Sequence, residues 1–150
     1  SDLTVESALL SRDEFKRLVF LRSGGRCVFC GAPAVDAHHI LERKLFADGG
    51  YYAGNGAAVC EQHHWDCEST RLSVEAVRAA AGIERVVLPE GWPAEPGFAW
   101  DKWGNRVWPS GMRTAGPLAH DDGARRALAR GGFLHLIMPA GYAEPAEEIS

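Results

Sequence analysis

Two residues separate Cys27 from Cys30 in RCVFC, and two separate Cys60 from His63 in CEQH. Thiolates and an imidazole spaced this way in tight turns can all reach one ion at about 2.0–2.3 Å, the pattern of a tetrahedral zinc site. A Cys3His set fills every position, so the zinc would be structural, and in a chain this short it would carry much of the folding free energy. The alternative is two pairs of buried, unliganded thiols. The matched spacing favours zinc. Cys67 competes with His63 for the fourth place, but lies seven residues beyond Cys60 and reads better as a core thiol. All four cysteines, with His38, His39, His63 and His64, fall within residues 27–67. Four unevenly placed cysteines do not make a disulfide scaffold, so we expect metal chemistry in a reducing, cytoplasmic setting.

DAHHI lies between the two halves of this site, and His64 follows the second half directly. In order, CVFC, DAHHI, NG and VCEQHH resemble the HNH endonucleases, the zinc-containing subgroup with a ββα-metal active site. The resemblance covers about residues 11–70. It departs from the family pattern in two places. The second zinc pair is Cys-x2-His, and Glu42 stands where a proline commonly follows HHI. The resemblance implies that His38 and His64 hold a divalent metal, that His39 is the general base and that Asn55 braces the loop between two strands. It also implies hydrolysis of phosphodiester bonds to 5′-phosphate and 3′-hydroxyl ends.

The residue chemistry points the same way. A phosphodiester repels hydroxide and has a poor leaving group, so its hydrolysis needs a base for water and a cation at the developing charge. Neutral imidazole is the natural base near pH 7. A few histidines completed by waters suit Mg²⁺ or Mn²⁺. Neighbouring strand residues face opposite ways, which separates the roles of His38 and His39. The competing reading is a histidine pair that completes the zinc site or caps a core. Glu68 lies one helical turn after His64 and shares its face; it is a further ligand, an orienting partner or an exposed helix glutamate. Asp36 shares a strand face with His38 and is either an orienting group or a solvated turn residue. Arg43 and Lys44 follow the strand and could contact phosphate, as could Arg22 and Arg26; each is equally an ordinary solvated charge. Tyr51 and Tyr52 could stack on bases.

These residues need elements to position them. Residues 11–22 read as a helix, with Ser11 and Glu14 as a capping box and Gly24-Gly25 as the stop. AVDAHHI and GAAVC are short strands joined by a long Gly- and Tyr-containing connection. EQHHWDCEST and LSVEAVRAAAGI are helices, the second capped by Ser73 and closed by Gly82. ERVVLP reads as a short strand. Composition shifts at Pro89, so we expect a nuclease-like domain over 1–88 and an accessory region over 89–150 packed on it or extending the substrate surface. In that region DKWGN reads as a tight turn, DDGARRALAR as a helix, FLHLIM as a strand and the end as an acidic tail. Trp100, Trp103 and Trp108 alternate with Lys102, Arg106 and Arg113. That interleaving fits nucleic-acid contact, but core or inter-region packing is the commoner use of tryptophan. Arg125, Arg126 and Arg130 form a solvated or phosphate-facing edge, and His120 and His135 read as structural.

The expected class is therefore α+β, a small ββα-metal core with a zinc knuckle, flanking helices and a Trp-rich C-terminal extension. At 150 residues, 46% hydrophobic and 24% charged, the chain is not disordered. No apolar run approaches the ~18 residues of a membrane span, and the N-terminal segment lacks the pattern of a signal peptide. Sixteen basic against twenty acidic residues give a net charge of −4, which excludes a protein that binds nucleic acid by overall charge. Contact with nucleic acid, DNA in the first instance, would use a local patch, a structured substrate or a protein partner. A non-catalytic zinc module and an RNA-directed nuclease are the rival readings.

Overall fold

The computed structural model describes residues 7–93 and 98–144. The expected acidic tail at 145–150 and residues 94–97 of the proline-rich segment lie outside them. The fold is mixed α+β, with four α-helices and two small sheets among the described residues. No helix among them is long and apolar enough to cross a membrane.

Helix α1 spans Arg12–Arg22. The Ser11 hydroxyl accepts from the Glu14 N–H at 3.2 Å, while the Glu14 carboxylate turns outward to Arg17, so only half of the capping box forms. The helix ends where Gly24 and Gly25 adopt φ of +65° and +76°, values that suit glycine. Strands β1 (Asp36–His39) and β2 (Gly56–Val59) pair antiparallel, with His38 opposite Ala57 and His39 opposite Gly56.

Strand β2 is GAAV and is buried throughout. Alternation sends Ala57 and Val59 into one core and Ala58 into another, against Phe15 and Val19 of α1. The absence of a side chain at Gly56 lets α1 approach: a Cβ there would lie 2.5 Å from Val19 Cγ2 and 2.7 Å from Phe15 Cζ. The other face meets helix α3 (Val74–Ala81), which buries Val74, Val77 and Ala81. The Ser73 hydroxyl caps α3 and Gly82 closes it in the left-handed region, as its sequence predicts. Helix α2 (Glu61–Glu68) starts directly after β2, with the Cys60 sulfur as its N-cap.

The C-terminal region forms a four-stranded sheet of two-residue strands, β3 (Ala99–Trp100), β4 (Arg106–Val107), β5 (Arg113–Thr114) and β6 (Ile137–Met138), in that order. Helix α4 (Asp122–Gly131) joins β5 to its parallel neighbour β6 and buries Ala124 and Leu128 beside Trp103. The turn at 101–105 closes through the Gly104 N–H on the Asp101 carbonyl, with Gly104 at φ +85°. The buried Asp101 carboxylate holds it by accepting from Trp103 N, Asn105 N, Asn105 Nδ2 and Arg113 Nη1.

Two expected strands do not form as predicted. ERVVLP (84–89) forms no strand: Val87 packs on the core while Val86 and Leu88 stay exposed, and no ladder pairs the segment among the described residues. In FLHLIM only Ile137 and Met138 pair. Leu134–Leu136 is a 3-10 turn, which brings Leu134 and Ile137, three residues apart, onto one core.

Gly56→Ala should lower the unfolding free energy by about 1–3 kcal/mol through overpacking, read as a lower urea midpoint at unchanged slope.

Candidate functional site

The first convergence joins two turns. The RCVFCGAP turn is held by Cys27 N on Ala32 O at 2.7 Å and by Gly31, at φ +75°. Val28 N on Ala58 O at 3.0 Å ties it to β2, just ahead of the Cys60 cap. As a result Cys27 Sγ lies 3.5 Å and Cys60 Sγ 3.2 Å from His63 Nδ1, and Cys30 Sγ lies 3.8 Å from Cys60 Sγ. A tetrahedral zinc at ordinary bond lengths spaces its ligand atoms about 3.3–3.8 Å apart. The four residues are thus close enough to hold one metal ion and are compatible with a structural zinc. Burial opposes ionisation of Cys27, but the Cys60, Phe29 and Cys30 N–H groups outweigh it and bring this thiol down to about 6. Cys67 is outside the cluster. It is buried in the core, where desolvation pushes its thiol up to about 12, so it is an inert core thiol as its position suggested.

The second convergence joins strand β1 to helix α2 through His38, His64 and Glu68. Glu68 Oε1 lies 3.1 Å from His64 Nε2 and 3.5 Å from His38 Nδ1. The three can hold a metal ion. His38 is buried, and its Nδ1 has no hydrogen bond, because the Glu68 oxygen is near but misaligned. An orphaned buried nitrogen beside a carboxylate is costly unless something completes it, and a cation held by both groups would do so. Asp36 Oδ2 reaches His64 Nε2 at 3.5 Å from a half-exposed position, in the orienting place rather than in the cluster.

These groups line a cavity of about 530 Å³ that also contains His39, Glu42, Arg43, Tyr51 and Lys102. His39 lies across β1 from His38. It stacks on Phe15 at 4.6 Å and meets Tyr51 edge-on at 5.0 Å. Its Nε2 is buried without a partner, which leaves Nδ1 as the ring nitrogen that can meet water. Burial, followed by the charge of Lys102, holds His39 down to about 4; burial does the same for His38. Both are neutral at pH 7. His64 moves the other way, raised by its hydrogen bond to Glu68. Burial opposes ionisation of Glu68, but His38, His64 and Lys102 overcome it and hold the carboxyl below its usual range.

Asn55 braces the loop. Its Oδ1 accepts from Leu41 N at 2.9 Å, and its Nδ2 donates to Leu41 O and Gly50 O. Arg43 lines the cavity and donates to the Tyr51 hydroxyl at 3.0 Å. Lys44 does not line it: its ammonium pairs with Asp121 at 2.8 Å. Arg22 donates to the Ala53 and Gly56 carbonyls and Arg26 to Gly31 O, so both brace backbone. Tyr52 bonds Asp48. His120 and His135 are exposed and in neither cluster.

The tryptophans mostly pack. Trp103 is buried and donates from Nε1 to Glu68 O at 2.9 Å, while Arg106 stacks over Phe98, Trp100 and Trp108. Arg113 is buried against Asp101 and Thr70. Arg130 stacks on Trp65 at 4.0 Å.

Sequence reasoning missed Lys102 as a site residue. Its ammonium lies 2.8 Å from Glu42 Oε2 and 3.6 Å from Glu68 Oε1. Arg12 and Lys16, one helical turn apart on α1, also line the cavity and were missed. Their i, i+4 spacing beside Phe15 was the available signal; Lys102 had none, since its place depends on docking across more than thirty residues. No family model, curated protein or solved structure matches this chain.

Two outcomes follow. Metal analysis should find one structural zinc in the wild type and in Cys67→Ala, and none in Cys27→Ser or Cys30→Ser. His38 and His39 have folded values below the unfolded value of about 6.5, so the unfolded chain takes up protons first. The stability they carry is complete above about pH 6.5 and is lost as pH falls toward 4. Urea titrations should show a shallower acid loss in His39→Phe than in the wild type.

Proposed function

We propose that this chain is a metal-dependent endonuclease of the HNH type, with DNA as the favoured substrate. The observation that carries this reading is one cavity holding two different kinds of imidazole. His39 is neutral and stacked on Phe15, outside the carboxylate cluster, while His38 and His64 converge on Glu68. The β1–β2–α2 order, the loop braced by Asn55 and the adjacent Cys3His cluster are what a ββα-metal core of the zinc-containing subgroup would contain.

In this reading His39 Nδ1 accepts a proton from water. The water oxygen bonds to phosphorus, the P–O3′ bond breaks and the leaving O3′ takes a proton from solvent, giving a 5′-phosphate and a 3′-hydroxyl. Phe15 and Tyr51 fix the ring plane, so the base needs no reorientation. The three-residue cluster, His38, His64 and Glu68, would hold Mg²⁺ or Mn²⁺. When bound, such an ion supplies positive charge to the phosphate and the leaving oxygen. Two imidazoles and one carboxylate, with room for waters, fit a hard divalent ion. Arg43, Arg12 and Lys16 form a local cationic edge on an acidic protein, able to meet flanking phosphates. Lys44 is paired with Asp121 and contributes less than its position in the sequence implied.

Cleavage of supercoiled plasmid, single-stranded DNA and RNA in Mg²⁺ and in Mn²⁺ tests the reading. His39→Ala, with zinc content retained, should lose about 10²–10⁴ in rate. Equal residual cutting by both proteins would remove His39 as the base. Binding without cutting on any polymer would favour a zinc module, and preferential RNA cutting would change the substrate class.

A further inference from the structure

Lys102 is a cation shared between two carboxylates on different elements. Its side chain is 4% exposed. The ammonium reaches Glu42 Oε2 at 2.8 Å and Glu68 Oε1 at 3.6 Å, and it lies over the Trp103 ring, 4.5 Å from the ring centroid. The Glu68 oxygen it approaches is the same atom that faces His38 and His64. Lys102 is held there by backbone as well as charge. Its carbonyl accepts from Glu42 N at 3.0 Å, and the neighbouring Trp103 Nε1 donates to the Glu68 carbonyl at 2.9 Å. The turn at 101–105 therefore grips both the β1 loop and the end of α2, and presents one ammonium between them.

We propose that Lys102 is a positioning residue that acts as the resident counter-ion of Glu68 and yields that carboxylate to a divalent ion by shifting its pairing wholly to Glu42. The inference rests on the metal role of the His38–His64–Glu68 cluster given above. A buried carboxylate without a partner is costly, and Lys102 keeps Glu68 charged and facing the imidazoles before an ion arrives. The same ammonium opposes a divalent ion at that oxygen, because two cations then share one acceptor at short range. Glu42 makes the exchange possible, since it already holds the shorter contact and needs no new residue to accept the lysine. Lys102 thus sets metal affinity below what the three ligands alone would give.

The test is Mn²⁺ binding to the zinc-loaded full chain, followed by the electron paramagnetic resonance of free Mn²⁺. Lys102→Met keeps the aliphatic stem and removes the charge; it should bind Mn²⁺ at least about tenfold more tightly. Glu42→Gln removes the alternative acceptor and should bind it several-fold more weakly. Lys102→Arg retains the charge and should stay near wild type. In a Glu68→Gln background the effects of Lys102→Met and Glu42→Gln should both collapse. Unchanged or weaker binding in a folded, zinc-replete Lys102→Met overturns the proposal, as does an effect that persists undiminished in Glu68→Gln or a wild type that binds no Mn²⁺. If Lys102→Met does not fold, Glu42→Gln decides, and unchanged affinity in it overturns the proposal. Opposite shifts without cleavage of any polymer would leave the counter-ion role standing and remove the nuclease reading. Cleavage with no shift in affinity would do the reverse.

Discussion

A strand of small residues covered on both faces, Gly56–Val59, constrains where the two strand histidines can point. Helix α1 lies on one face because Gly56 has no side chain, and α3 lies on the other against Ala57 and Val59. The paired strand then has no freedom of register, since a one-residue slip would exchange its faces. His38 is directed toward α2 and the carboxylate of Glu68, and His39 toward Phe15 of α1. Two adjacent residues of one type thereby occupy unlike surroundings. The interleaved hydrogen bonds of Asn55 hold the loop that follows, so the cavity wall is fixed by the same hairpin that aims the imidazoles.

Desolvation sets the protonation states of the two strand histidines, and pairing sets those of Glu68 and His64. Burial keeps His38 and His39 neutral, while Glu68 stays charged despite burial because imidazoles and an ammonium surround it. That combination suits an acidic protein whose overall charge repels polyanions. It places neutral imidazoles and a charged carboxylate in one pocket, which Arg12, Lys16 and Arg43 also line.

Local features were legible in the sequence because local physics decides them. Ser11 and Ser73 cap their helices, Gly82 ends its own, and the two spaced pairs meet because each pair is fixed within its own turn. The burial of Cys67 and the convergence of His64 and Glu68 follow from helical spacing. ERVVLP and FLHLIM were misread because apolar extended segments become strands only where a partner edge exists, and their partners are set by the whole fold. Lys102 is the plainest case. In sequence it is one basic residue among tryptophans, and only the docking of the 101–105 turn onto β1 and α2 brings it to Glu68. Lys44, which looked equivalent to Arg43, was captured by Asp121 through the same long-range packing.

The grip of the 101–105 turn on Glu42 and Glu68 also orders events in time. On a ribosome, every cysteine and histidine of the two clusters emerges before Lys102 does, and N-terminal segments fold first as they appear. The growing chain therefore passes through an interval in which the residues of both clusters have emerged but the lysine has not. During that interval Glu68 and Glu42 lack their shared cation. Arrival of the last third of the chain ends that interval, so the charge balance around Glu68 is completed only late in synthesis.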